Sequence, residues 1–148
     1  MNIETLYSAV DLVRASGHRS HAREAAFMRA YPVLLVSARL PASTPVEGLL
    51  RNASLVYAWM PHSLQLDVTQ LDQAAEAYAA ASQEVPLIAA SVIEPLASCL
   101  GSLVGASRLL HLANPAVFPA WGPRVERFRL KTTPSRYHMS QTRTSLTY

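Results

Sequence analysis

Residues 44–61 have the sequence TPVEGLLRNASLVYAWMP, in which both ends of a helix are encoded. Thr44 offers an N-cap hydroxyl, Pro45 suits the first helical position, and Glu47 can reach back to an unpaired backbone amide. One apolar stripe follows at the three-to-four spacing of a helix, at Leu49, Ala53, Val56 and Met60. Pro61 then ends the helix, because proline lacks the backbone donor that a helix interior needs. The segment therefore predicts a helix with one buried face.

Helical patterns of the same kind recur along most of the chain. The next helix is predicted to begin at Asp67, with Gln70 as the reciprocal capping partner. Its inward face is predicted to carry Val68, Leu71, Ala75 and Tyr78. Further helices are predicted over residues 3–13, 20–32 (where Pro32 ends or bends the helix), 86–100 and 107–113, and from Pro123 onward. Residues 31–36 are apolar and β-branched and are interpreted as a buried helix or an extended core segment. We predict an all-α single domain over residues 1–148 with about six or seven helices.

The composition is that of a soluble globular protein with one domain. The chain has 148 residues, of which 50% are apolar and 16% are charged, and this length suits one hydrophobic core. Cys99 is the single cysteine, so the sequence excludes an internal disulfide framework and a multi-thiolate zinc site. His18 and His21 are flanked by Arg19 and Arg23, and these positive charges disfavour a bound cation. We expect no metal and no cofactor.

The sequence favours a cytoplasmic protein without a membrane segment. Residues 1–5 contain an early acid and no apolar run of signal-peptide length. The most apolar stretch covers residues 85–107 and is interrupted by Pro86 and Pro95. This interruption favours a buried core helix over a membrane helix.

Basic residues are concentrated in the C-terminal part of the chain. Residues 1–107 carry six arginines and nine acids, a net charge of −3. Residues 108–148 carry six arginines, one lysine and one glutamate, a net charge of +6. A basic segment on a mildly acidic body can face a polyanion such as nucleic acid. The alternative is a solvated surface that is rich in arginine, and charge alone leaves both interpretations open.

Residues 105–128 have the sequence GASRLLHLANPAVFPAWGPRVERF. Pro115, Pro119 and Pro123 forbid a continuous helix across this stretch. The pattern predicts a helix, a rigid apolar loop, and a second helix that begins at Pro123 with Gly122 at its N-cap. Six side chains are expected to be buried together: Leu109, Leu110, Phe118, Trp121, Val125 and Phe128.

This segment resembles the helix-hairpin-helix DNA glycosylase superfamily, and within it the small bacterial and phage proteins related to 8-oxoguanine glycosylases. The matching positions are Ser107-Arg108, Leu110-His111, Pro115, Phe118-Pro119, Trp121-Gly122 and Arg124-Val125. The resemblance implies a partly helix-hairpin-helix fold and contact with DNA. In the resembling family more helix would follow Tyr148, so the chain is interpreted as a truncated relative.

Two positions depart from the chemistry that the resemblance implies. Glycosylases of this kind use a lysine amine as the nucleophile and an aspartate that steadies the developing positive charge, whereas this chain has Arg108 and Gly122 there. An arginine side chain stays protonated and has no lone pair for Schiff-base chemistry, and glycine supplies no carboxylate. Gly101 and Gly105 are four residues apart rather than two, which favours helix packing over a phosphate-binding hairpin turn. We therefore predict that the protein is not an enzyme.

The best candidate binding surface is a cluster of basic residues near the C-terminus. Its members are Arg108, Arg124, Arg127, Arg129, Lys131, Arg136 and Tyr137. Aromatic side chains interleaved with basic ones are typical of proteins that stack on bases and neutralise phosphates, and Phe128 is either a second such residue or part of the core. We predict a non-catalytic DNA-binding protein. The alternative is a structural or protein-interaction protein that self-associates and has no role with nucleic acid.

Overall fold

The computed structural model describes residues 7, 8, 11, 22–59, 63–83 and 89–141, and there is no strand among them. Their helices are α1 (Ala22–Ala38), α2 (Pro45–Trp59), α3 (Leu71–Ala81), α4 (Ala89–Leu100), α5 (Leu103–Ala113), α6 (Pro123–Leu130) and α7 (Arg136–Met139), with a 3-10 turn at Val68–Gln70. The all-α prediction is confirmed. Of the helix predicted over residues 3–13, residues 7, 8 and 11 are helical, while its other positions, like His18 and His21, lie outside the described residues.

Contacts divide the chain into two units, Met1–Val33 and Leu34–Tyr148. In the second unit, α2, α3, α4 and α5 pack on one another. Their largest buried apolar side chains include Leu49, Val56, Leu96, Leu109 and Leu110. Within the described ranges, no helix combines the length and the apolar character needed to cross a bilayer. The single domain over residues 1–148 stays a prediction.

α1 differs from the sequence prediction in where it ends and in what it buries. The helix runs through Pro32 and ends at Ala38, so of the two interpretations of residues 31–36 the helix is confirmed and the extended segment is wrong. The prediction that this segment is buried is also wrong, because Val33 and Val36 are 64% and 68% exposed. Leu34, by contrast, is buried. A stretch that is apolar all round a helix buries only the side that meets a neighbour.

α2 has the capped start that the sequence predicts. The backbone amide of Glu47 donates to the Thr44 hydroxyl oxygen at 3.1 Å. The Glu47 carboxylate reaches back and accepts from the backbone amide of Ser43 at 2.8 Å, one residue earlier than a regular capping box. This bond to Ser43 is the largest of the contacts that lower the pKa of Glu47. Leu49, Ala53 and Val56 are buried as predicted, and Met60 lies outside the described residues.

The predicted capping box at Asp67 is wrong. The Asp67 carboxylate accepts from the backbone amide and the hydroxyl of Thr69, at 2.9 and 2.6 Å, and so begins the 3-10 turn instead. α3 then begins at Leu71, and Gln70 makes no capping bond through its side chain. Val68 is 75% exposed rather than inward-facing. An aspartate carboxylate can accept from the backbone amide two residues ahead as well as from the one three residues ahead, and here it bonds the nearer one.

The connection between α4 and α5 is tight. Gly101 has a φ of +57°, which favours glycine because a Cβ atom would be strained in that region. Ser102 caps α5 and accepts from the backbone amide of Gly105 at 3.1 Å, so the helix begins at Leu103 rather than at Ser107. Inside α5, Gly105 faces the buried Tyr57 side chain of α2. The expected use of glycine for helix packing is confirmed at Gly105.

Gly105→Ala is expected to lower the free energy of unfolding by about 1–3 kcal/mol, as overpacked core positions do. The new methyl group would overlap the Tyr57 hydroxyl, which lies on a rigid and buried ring. This loss outweighs the gain of about 1 kcal/mol that alanine brings to a helix interior. Urea unfolding measures the change. The control is to make Gly105→Ala in a Tyr57→Phe background, where the hydroxyl oxygen that the methyl group would overlap is absent. An equal loss of stability in both backgrounds would contradict overlap with the Tyr57 hydroxyl as the cause.

Candidate nucleic-acid interface

The proline-rich loop between α5 and α6 is held by hydrogen bonds from α5. The Ser107 hydroxyl accepts from the backbone amide of Trp121 at 2.9 Å and donates to the carbonyl of Pro119 at 3.4 Å. One turn further along α5, Nδ1 of His111 lies 2.7 Å from the carbonyl oxygen of Phe118. Phe118 and Trp121 are both buried, as predicted. The loop therefore holds the start of α6 against α5.

Glu126 is the centre of the polar network at this end of the second unit. Its side chain is fully buried and accepts from the indole N–H of Trp121 at 3.1 Å. Arg129 donates through Nε and Nη2 at 2.5–3.2 Å, and Nε2 of His138 lies 2.6 Å from the carboxylate. A buried carboxylate is tolerable only when its oxygens are paired in this way. Glu126 thus joins the loop, α6 and α7.

These bonds lower the pKa of Glu126 to about 2. The largest cause is the hydrogen bond from Arg129; burial acts in the opposite direction, and the bonds from His138 and Trp121 add to the lowering. The same ion pair raises the pKa of Arg129. Glu126 is therefore ionised at neutral pH, and its carboxylate oxygens are already engaged by Trp121, Arg129 and His138.

The side of α6 that faces inward is the side that carries Glu126. The prediction that Phe128 is buried in the core is therefore wrong. Phe128 follows Glu126 by two residues, which is about 200° around a helix. Its side chain is therefore 42% exposed rather than buried. Val125 is half-buried, whereas Leu109 and Leu110 are buried as predicted.

Arg108 and Gly122, the two positions that depart from the resembling family, lie side by side. The Nη2 atom of Arg108 is 3.5 Å from where a Cβ atom on Gly122 would stand. Gly122 is the N-cap of α6 with Pro123 at the first position, as predicted. Burial lowers the pKa of Arg108, and the positive charge of Arg124 lowers it further. No carboxylate is among the groups that shift the pKa of Arg108.

Four of the predicted basic residues are exposed and unpaired. Arg124, Arg127, Lys131 and Arg136 form no ion pair in the part of the chain that the structure describes. Tyr137, beside Arg136, is 76% exposed. Residues 123–141 carry five basic side chains against one carboxylate, a net charge of +4. The basic surface, defined as Arg124, Arg127, Lys131, Arg136 and Tyr137, is therefore accessible and uncompensated.

Arg129 and Arg108 differ from the rest of the predicted cluster. Arg129 has its guanidinium bonded to Glu126, and Arg108 is half-buried behind the α6 N-cap. A nucleic-acid contact by either residue stays a prediction. Sequence reasoning missed the role of Glu126, although a lone acid three residues before an arginine in a basic segment was a usable signal.

No group of three metal-binding side chains occurs among the residues that the structure describes. Comparison with known proteins found no matching family model, no similar curated protein and no similar solved structure. The resemblance to glycosylase-like proteins therefore rests on the sequence alone, on residues 107–125 and more weakly on Tyr137-His138-Met139 onward, and stays a prediction.

Proposed function

We propose that the protein is a non-catalytic DNA-binding protein that contacts phosphates through the basic surface of α6 and α7. The observation that supports this most is the disposition of charge. The one carboxylate of residues 123–141 is buried and already bonded, whereas Arg124, Arg127, Lys131 and Arg136 face solvent without a partner.

Exposed and uncompensated cations are suited to a polyanion. Arg124 and Arg127 lie three residues apart on α6, about one helical turn, and so present two charges on one side. Lys131 follows at the end of the helix with a φ of +58°. Cationic side chains at such positions neutralise DNA phosphates and release the counterions condensed on them, so the affinity depends on salt. Tyr137 adds an exposed ring on which an unpaired base can stack.

The corner at Arg108 and Gly122 supports binding without catalysis. A nucleophile for base excision with strand cleavage needs an amine that can lose its proton, and a guanidinium cannot do so in a protein. No carboxylate stands at Gly122 to act as a base or to stabilise positive charge. The resemblance between residues 107 and 125 adds an expectation of DNA as the partner.

Fluorescence anisotropy with labelled duplex and single-stranded DNA tests the proposal. We expect binding at low salt that weakens steeply as salt is raised, with a slope of log K against log salt near −3 if three to four phosphates of a duplex are neutralised. Arg124→Gln/Arg127→Gln should reduce that slope by about 2. Tyr137→Ala should weaken the binding of single-stranded DNA more than the binding of duplex DNA, because stacking on the ring needs an unpaired base.

The matched control is Arg39→Gln, which removes an exposed arginine in the turn after α1. We expect this variant to keep the wild-type affinity and salt slope. Absence of binding at low salt, or equal losses in Arg39→Gln and Arg124→Gln/Arg127→Gln, would overturn the proposal in favour of a protein-interaction role.

A further inference from the structure

Phe128 is the exposed aromatic side chain of α6, and its neighbours on the exposed side of that helix are basic. Successive residues of an α-helix are about 100° apart, so Arg124, Arg127 and Phe128 fall within one sector of about 100°. All three are exposed. Lys131 follows the last residue of α6 and is exposed one turn after Phe128. One side of the helix therefore carries cations and an aromatic ring together.

The ring takes no part in the polar network on the other side of α6. Glu126 is fully buried there and binds Arg129, and Phe128 lies about 200° around the helix from Glu126. An isolated apolar side chain on a surface needs no explanation. A ring with Arg124 one turn before it and Lys131 one turn after it is different, because this pattern suits a ligand that offers bases and phosphates together.

A second exposed ring lies on α7. Tyr137 is 76% exposed and follows Arg136, which is exposed as well. The next residue, His138, lies 2.6 Å from the Glu126 carboxylate, so this contact ties α7 to α6. Glu126 is the one carboxylate of residues 123–141, all of which the structure describes, and it is buried. Each ring therefore has an exposed cation close to it in the chain and no exposed carboxylate.

The exposed rings distinguish between the two forms of DNA. In a duplex the bases are stacked on one another, and a protein meets base edges and phosphates. In a single strand the bases are free to stack on aromatic side chains while cations follow the backbone. Cations alone suit either form, whereas a ring between cations finds a flat apolar face in an unpaired base.

We infer that the basic surface binds single-stranded DNA in preference to duplex DNA, and that Phe128 is a stacking residue for an unpaired base. This preference rests on the proposed function, because the cations must hold the phosphates for a base to reach the ring. It adds the class of ligand and a binding residue that is not one of the five residues of the basic surface.

Fluorescence anisotropy on the full chain tests this preference with three labelled ligands of about 12 nucleotides, a length within the range of roughly 4–16 that single-strand-binding domains cover. The ligands are oligothymidylate, a duplex, and a strand in which stable abasic sites replace every base. The abasic strand keeps the phosphates and loses the bases. We expect oligothymidylate to bind at least about tenfold more tightly than either of the others. Equal binding of oligothymidylate and the abasic strand, or tighter binding of the duplex, would overturn the inference.

Phe128→Leu keeps an apolar side chain and removes the ring. It should weaken the binding of oligothymidylate about tenfold, because a stacked base is lost. Its salt slope should stay that of the wild type, because no charge is removed. Leu130→Ala is the matched control, since Leu130 is 37% exposed on another side of α6, and it should bind oligothymidylate as the wild type does. Wild-type affinity in Phe128→Leu would contradict the role of Phe128, and if that variant fails to fold, the abasic strand decides.

Failure of this preference is distinguishable from failure of the proposed function. Absence of binding to all three ligands at low salt would overturn both. Equal binding of oligothymidylate and the abasic strand, with a salt slope that Arg124→Gln/Arg127→Gln reduces, would keep the phosphate contacts and exclude stacking. Anionic phospholipid vesicles are the remaining probe, because cations and a ring on one helix side also suit a membrane surface. If Phe128→Leu weakened vesicle binding and left oligothymidylate binding unchanged, the inference would be wrong.

Discussion

Trp121→Ala is expected to lower the free energy of unfolding by about 3–5 kcal/mol, the range for a large aromatic side chain lost from a core. Trp121 is 1% exposed and is the largest fully buried side chain described. The substitution also removes the indole donor to Glu126. The carboxylate would then remain buried with one hydrogen bond fewer, which adds to the cost of the cavity.

Urea unfolding followed by far-UV circular dichroism measures this loss without relying on tryptophan fluorescence. Val117→Ala is the matched control, because Val117 belongs to the same loop but is 58% exposed, and it should change stability by less than about 0.5 kcal/mol. Trp121→Phe keeps much of the aromatic volume but removes the indole N–H, so its loss of stability measures the contribution of the hydrogen bond to Glu126 apart from most of the cavity. A loss below about 1 kcal/mol in Trp121→Ala would show that the loop is peripheral to the core.

Helix ends were predictable from the sequence where the deciding groups lie within one turn of each other. Thr44 with Glu47, and Gly122 with Pro123, begin α2 and α6 as their local chemistry indicates. Asp67 shows the limit of that reasoning. Its carboxylate can bond to residues two or three positions ahead, and nothing local decides between a 3-10 turn and a capped helix.

Pairing between distant residues was not predictable from spacing. The basic composition of residues 108–148 was evident, but His138 reaches Glu126 from another helix and Tyr78 reaches Asn52 across 26 positions. Phe128 was misjudged for the same reason, because the neighbours that bond Glu126 determine which side of α6 faces inward. Periodicity identifies a helix face, whereas tertiary contacts decide which face is buried.

Glu126→Gln is expected to destabilise the protein at neutral pH by about 1.5–3 kcal/mol, the range for hydrogen bonds to a charged group, because Arg129 and His138 are each 31% exposed and water can solvate them once the carboxylate is gone. A neutral amide cannot balance the charge of Arg129, and its NH2 group would face donors that now point at a carboxylate oxygen. The variant leaves the side-chain volume almost unchanged, so a cavity does not contribute. Glu76→Gln, on the exposed side of α3, is the matched control and should change stability by less than about 0.5 kcal/mol.

The same residue should make stability depend on pH in acid. The pKa of Glu126 falls from 4.5 in the unfolded chain to about 2 in the folded protein. A carboxyl group whose pKa is lowered by folding contributes stability that is fully present above the unfolded value and is lost as pH falls from 4.5 towards 2. A shift of this size corresponds to about 3 kcal/mol.

Urea unfolding of the wild type and Glu126→Gln from about pH 6 to about pH 2 measures this contribution. Glu47 and Asp67 also have lowered pKa values, from bonds to Ser43 and Thr69, and they remain in both proteins. The difference between the two proteins therefore isolates Glu126. We expect that difference to shrink as the pH falls through the window between 4.5 and about 2, because protonation of the wild-type carboxyl removes the charge that the variant already lacks. A difference that stays constant across this window would mean that the bonds of Glu126 to Arg129 and His138 do not stabilise its ionised form.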